Sequence, residues 1–194
     1  MKQLKVWMIV GFFAGMALLS PAVAQQLHEV QVIVEEVEGR LVPEFYFEPT
    51  GLYIQPGDTV RFIPVTPNHT ATAYHTLHGK QQRVPEGVEP FSSPVIALNS
   101  NWEYTFDTPG VYDLYCAPHE LYGMVMRVVV GEASGPATEA PSDFSPGGTF
   151  GAAGTVLSDP ILDPQHIIDA GSVSWHEISA EAKVPPQPPG GEGN

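Results

Sequence analysis

The 194-residue chain holds one cysteine, Cys116. A lone thiol excludes an intrachain disulfide, a four-cysteine zinc site and an iron–sulfur cluster. Basic residues are also scarce, 8 Lys and Arg against 22 Asp and Glu, for a formal net charge of −14. That balance disfavours nucleic acid and anionic membrane surfaces as partners, because both repel negative charge. Long apolar runs are absent too. The apolar run near the start, Val6 to Leu19, has 14 residues and no charge, short of the ~20 that a membrane-spanning helix needs. No internal repeat is present.

What the chain has in quantity is proline and glycine, 20 and 19 residues, with 43% hydrophobic and only 15% charged positions. There is enough apolar material for one core of ordinary size. The start reads as an export signal: Lys2 and Lys5, the uncharged stretch, then Ala22-Val23-Ala24 ahead of Gln25. Cleavage after Ala24 removes two lysines and no acid, so the expected mature chain carries a net charge of −16. No cysteine follows the cleavage point to take a lipid anchor, so the expectation is a soluble periplasmic protein without a membrane anchor.

Residues 25–132 read as an all-β domain. Val30, Val32 and Val34 alternate with polar neighbours between Glu29 and Glu35, the period of a half-buried strand. Phe45 to Phe47, Leu52 to Ile54 and Thr59 to Val65 form further short runs, the last entered through the turn signature Pro56-Gly57-Asp58. Thr66 to Asn99 reads as loops with short strands. Trp102 to Phe106, Val111 to Tyr115 and Val125 to Val130 complete the set, with Thr108-Pro109-Gly110 as a turn. Short strands between turns predict a β-sandwich or small barrel.

After Gly131 the composition becomes linker-like as far as Gly154. Asp163-Pro164 has the form of an N-cap followed by proline at the first helical position, with Gly171 as the stop. Ser174-x-x-Glu177 matches a capping box. Too few apolar residues lie here for a separate core, so residues 133–194 are expected to be a partly helical extension packed on the β-domain. Pro185 to Asn194 is expected to be disordered.

The chemistry concentrates in Cys116-Ala-Pro-His119-Glu-Leu-Tyr-Gly-Met124. Thiolate, imidazole and thioether within nine residues make a soft donor set. Zinc and hard cations have no use for a thioether, whereas a trigonal His₂Cys set with a weak axial Met is the blue-copper electron-transfer site. An exported thiol also calls for shielding or ligation. The loop offers three of four donors, and a second histidine must come from elsewhere. Asn68-His69-Thr70 through His75 and His78 offers three.

Tyr115-Cys116-Ala-Pro-His119-Glu-Leu-Tyr-Gly-Met124 resembles the ligand loop of the cupredoxins, nearest to their pseudoazurin branch. Gly57 to Val65 followed by His69, and Thr108-Pro-Gly-Val-Tyr112, resemble that branch as well. The resemblance spans about Glu29 to Glu132. It implies an eight-stranded Greek-key sandwich, one type 1 copper and electron transfer, with His69, Cys116, His119 and Met124 as ligands. On an extended segment His75 would share a face with His69, as an alternative ligand or a neighbour. His75 and His78 as an accessory H-x₂-H site are outweighed by ordinary surface positions, and His166 and His176 are expected at the surface. The Asn68-His-Thr70 glycosylation acceptor is discounted.

Two departures from the family pattern stand out. Thr70 occupies the position where asparagine commonly ties the two ligand-bearing loops, and a hydroxyl is expected to supply only part of that bonding. Ala117 lacks the hydroxyl often found after the cysteine. Pseudoazurins typically present lysines to acidic partners, but here Lys80, Arg83 and Arg127 stand among acids. The expected partner is therefore a cytochrome or oxidoreductase with a basic docking surface, with Pro118, Leu121 and Tyr122 as an apolar patch around His119. An enzymatic role is not expected, because no His-x-His pairs or second domain supply further copper ligands. The alternative is a copper carrier or chaperone without a dedicated electron-transfer role.

Overall fold

The computed structural model describes residues 24–142 and 151–183. The expected signal peptide (1–24), save Ala24, and the expected disordered end (185–194) lie outside the described residues. Among the described residues nine strands are formed: β1 (Leu27–Glu35), β2 (Glu44–Glu48), β3 (Gly51–Ile54), β4 (Asp58–Pro64), β5 (Thr72–Ala73), β6 (Trp102–Phe106), β7 (Gly110–Tyr115), β8 (Val125–Val130) and β9 (Ser172–Val173). One sheet has the order β2-β1-β4-β6 and the other β5-β7-β8-β3-β9. The pairs β1–β4 and β3–β8 are parallel and the remaining pairs antiparallel. Eight of these strands precede residue 131 and make a sandwich, as the strand pattern predicts, with the Greek-key form that the family resemblance implies. β9 is contributed by the extension.

Alternation places Val30, Val32, Val60 and Phe62 of the first sheet against Tyr112, Leu114, Met126 and Val128 of the second. The aromatic rings of Phe91, Trp102, Tyr104 and Phe106 close one side of this core, with Phe91 and Tyr104 stacked at 3.7 Å between centroids. Thr108-Pro109-Gly110 reverses the chain into β7, and the Tyr112 hydroxyl donates back to the Thr108 carbonyl at 2.7 Å. That bond is the tyrosine corner of β-sandwiches.

Every residue of β7 and β8 is buried, so the second sheet is covered on both faces. Its outer cover is the extension, with helices α1 (Gly151–Leu157) and α2 (Pro164–Ala170). Val111, Tyr115, Val125 and Val129 pack there against Ala153, Val156, Leu162, Ile167 and Trp175. Asp163 caps α2 by accepting the Gln165 and His166 N–H groups, and Gly171 follows its end. The Ser174–Glu177 capping box opens a 3₁₀ turn at Trp175–Glu177. β3 approaches so closely that a Cβ on Gly51 would lie 3.0 Å from Val173 and 3.1 Å from Ile167 and Leu162.

The stretch after Gly131 differs from its linker-like composition. Asp113 and Arg127 face each other across β7 and β8, and Arg83 joins them from the loop before β6. Asp113 accepts from Arg83 Nε at 2.7 Å and from Arg127 Nε at 2.8 Å, all three side chains being buried. The spare guanidinium N–H groups donate to the carbonyls of Ala137, Glu139 and Leu162. Buried cations in need of acceptors thus fix residues 137–139 to the sheet, and α1 begins at Gly151, inside the stretch that composition alone marks as loose.

Candidate metal centre

Register puts the ends of β1, β4 and β7 and the starts of β2, β6 and β8 at one end of the sandwich. The loops there carry the sequence-predicted donors. Cys116 follows β7 and Met124 precedes β8, so a strand pair holds both ends of the ligand loop. The loop closes on itself: Cys116 N–H donates to the Met124 carbonyl at 3.0 Å, and His119 N–H to the Cys116 carbonyl at 2.9 Å. Gly123, at φ +87°, supplies the left-handed turn that returns the chain to Met124. Its α-carbon side is close to α1, where an added Cβ would meet the Ala152 carbonyl and Val156 at 3.4 Å.

His69, Cys116 and His119 converge, with their donor atoms all within 4.8 Å of one another. The Cys116 sulfur lies 3.7 Å from His69 Nδ1 and 3.4 Å from His119 Nδ1. His69, Cys116 and Met124 are fully buried and His119 is partly exposed. His69 reaches the site because its carbonyl accepts from Ile96 N–H at 2.8 Å, pinning the loop after β4. His75 is not part of the cluster. It caps a 3₁₀ turn at Thr76–His78, its Nδ1 accepting from Leu77 N–H, and stands beside His78 at 6.3 Å between rings. His166 and His176 are exposed and are not among the converging donors.

Two supporting residues, Thr66 and Phe45, escape the motif, and Thr70 supplies the bonding expected of its hydroxyl. Thr66 Oγ1 accepts Val34 N–H at 2.8 Å and lies 2.9 Å from His69 Nε2. The tautomer that donates from Nε2 leaves the Nδ1 lone pair facing Cys116, the usual way an outer partner orients a ligating imidazole. Thr70 N–H donates to the Cys116 sulfur at 3.3 Å, and Thr70 Oγ1 accepts Ala117 N–H at 2.8 Å. The hydroxyl therefore does tie the two loops. Phe45 lies against His119 at 4.6 Å between ring centroids and stacks on Tyr122 at 4.8 Å. A side chain that accepts a backbone N–H from 32 residues away, as Thr66 does from Val34, leaves no trace in local spacing.

Burial sets the protonation states. It lowers His69 to about 4, helped by the neighbouring His119, and lowers His119 as well. Burial pushes the Cys116 thiol up to about 11, against the Thr70 and His119 N–H groups, which favour the thiolate. At neutral pH the metal-free site thus presents two neutral imidazoles and one thiol, and an incoming cation displaces a single proton. Neutral imidazoles and a sulfur donor in a dry pocket suit copper better than any oxygen-preferring cation.

Among known proteins, the family model described as copper binding proteins, plastocyanin/azurin family, matches residues 35–131. The chain belongs to that family of copper-binding cupredoxins, which are electron carriers and not enzymes. Within it the similarity points to the pseudoazurins. A Rhizobium leguminosarum bv. viciae protein assigned as a pseudoazurin is 36% identical over 129 residues, 66% of this chain and 76% of the relative. The pseudoazurin of Paracoccus pantotrophus is 35% identical over 120 residues, 62% of this chain and 73% of the relative. A solved pseudoazurin from Sinorhizobium is 31% identical, with a TM-score of 0.46, covering 57% of this chain and 77% of that one.

Proposed function

We propose that this chain is an exported, mononuclear type 1 copper protein that carries single electrons between protein partners in the periplasm. His69, Cys116, His119 and Met124 would hold the copper, which supplies the Cu(I)/Cu(II) couple. The observation that carries the reading is the convergence of the His69 and His119 Nδ1 atoms on the one buried thiol of Cys116, with His69 and the sulfur each held by a hydrogen bond from the protein. Ligands held in place by the surrounding protein change little when charge moves, which is what rapid one-electron transfer requires. The signal peptide at 1–24 and the division into a copper domain, 25–132, and an extension, 133–194, belong to the same proposal.

His119 is the partly exposed donor, so electrons would enter and leave beside it. Leu121 and Tyr122 in its loop are 44% and 39% exposed, and Leu41, Val65, Val95 and Leu98 stand exposed on neighbouring loops at the same end. Exposed apolar side chains gathered at the metal end of the sandwich mark a docking face. Partner choice follows from charge. Among the described residues the cations are engaged internally: Arg40 with Glu44, Arg61 with Glu103 and Glu29, Lys80 with Glu120, and Arg83 and Arg127 with Asp113. Lys183 lies over the Trp175 ring. The surface is left acidic, which fits a cytochrome or oxidoreductase with a basic docking surface.

Voltammetry of the copper-loaded protein separates this role from that of a copper chaperone. Reversible one-electron reduction with copper retained in the presence of a Cu(I) chelator is the expected result. Rapid surrender of Cu(I) to the chelator would favour metal delivery instead.

A further inference from the structure

The residue after His119 has no part in ligation, yet it is among the most firmly held in the loop. Glu120 is a carboxylate only 2% exposed. Oε1 accepts from the Tyr74 hydroxyl at 2.8 Å and Oε2 from the Lys80 ammonium at 2.5 Å. Tyr74 is itself fully buried just beyond β5, its backbone N–H donating to the Asp113 carbonyl of β7 at 3.1 Å. Lys80 also sits over the Tyr115 ring, 5.2 Å from its centroid, and Tyr74 packs on that ring at 4.6 Å. Both carboxylate oxygens are therefore anchored to the second sheet, beside the strand end that delivers Cys116.

We infer that Glu120 is a positioning residue for His119, tying the exposed-side ligand to the sheet through Tyr74 and Lys80. The inference rests on the copper-carrier reading above. A buried carboxylate is costly unless fully paired, and a surface turn gains nothing from carrying one. The turn at Glu120–Tyr122 is closed by Tyr122 N–H to the His119 carbonyl at 3.0 Å and Gly123 N–H to the Glu120 carbonyl at 2.9 Å. Met124 N–H reaches the His119 carbonyl at 3.3 Å. With those bonds made, the turn moves as a unit, so holding the Glu120 side chain holds the backbone from which His119 projects. The device makes the second imidazole rigid independently of copper.

Glu120→Ala removes both anchors, Glu120→Gln keeps an acceptor for Tyr74 and loses the charge for Lys80, and Lys80→Met removes one anchor. Two readouts are taken on each variant whose far-UV circular dichroism matches wild type. The first is NMR relaxation dispersion of the His119 ring in the metal-free protein. The second is electron self-exchange in the copper-loaded protein. Expected are exchange broadening of the ring in Glu120→Ala and self-exchange slower by about tenfold, the lower end of what losing an outer support costs a metal site. Glu120→Gln should recover most of both, and Lys80→Met should fall between. A ring unchanged in dispersion and a self-exchange rate within about twofold of wild type in Glu120→Ala, or in Lys80→Met if the alanine variant fails to fold, would overturn the inference. If the wild type shows no blue-copper signal, the functional reading fails, while the metal-free ring measurement still decides the positioning role.

Discussion

Thr70 holds the cysteine's loop twice over: its N–H donates to the Cys116 sulfur at 3.3 Å, and its hydroxyl accepts the N–H of Ala117, the residue that follows the cysteine, at 2.8 Å. The loop bearing one histidine is thereby joined to the loop bearing the cysteine, His119 and Met124. Thr70 Oγ1 is also 3.1 Å from Thr72 Oγ1, which fixes its rotamer.

Replacing Thr70 with valine keeps the shape and the backbone N–H but leaves Ala117 N–H without its acceptor. A loss of about 1 kcal/mol in the metal-free protein is expected, the usual worth of one such bond. Thr70→Ser should retain most of it. Urea denaturation of the three proteins checks both statements.

Asp113 carries two buried guanidiniums, and its removal leaves both uncompensated. Asp113→Ala should cost about 3–5 kcal/mol, the cost of breaking a buried pair. It should also release residues 137–139, whose carbonyls are held by the same guanidiniums. Arg61→Ala, which breaks only exposed pairs with Glu103 and Glu29, should leave the denaturation midpoint nearly unchanged. Chemical denaturation together with hydrogen exchange at residues 137–139 reads the contrast.

Acid stability should turn on Asp58. Burial works to raise this carboxyl, but the N–H groups of Gln26 and Gln55 and the His28 imidazole outweigh it and hold its pKa below the ordinary value. A folded-state pKa below the unfolded one means that the unfolded chain binds the proton more readily. The stabilisation is therefore complete above the ordinary aspartate value of about 3.9 and is lost as pH falls through the lower folded pKa. Asp58→Asn should lower the melting temperature at about pH 6 and flatten its decline toward about pH 2, which thermal scans across that range measure.

The sandwich is legible in the sequence because its strands alternate, as Val30 and Val32 do, and because Pro-Gly-Asp and Thr-Pro-Gly mark its turns. The ligand loop is legible because three soft donors fall within nine residues. α1 is not, since Gly-Ala-Ala-Gly-Thr-Val-Leu has weak helix propensity and gains its order from packing Ala153 and Val156 on the second sheet. The Arg83–Asp113–Arg127 cluster escapes for another reason: its members lie far apart in the chain and look like surface charges until the extension covers them. On an extended segment His69 and His75 would share one face. What separates them is the 3₁₀ turn that His75 caps, a tertiary outcome that spacing does not encode.

The most direct test of the copper reading is addition of Cu(II) to the metal-free mature chain, followed by visible absorption. An intense thiolate-to-copper band that bleaches on reduction is predicted for wild type. The band should be abolished in Cys116→Ser and lost or strongly altered in His69→Ala, and it should be retained in His75→Ala. No band in the wild type, or a band that survives in Cys116→Ser, would contradict the account.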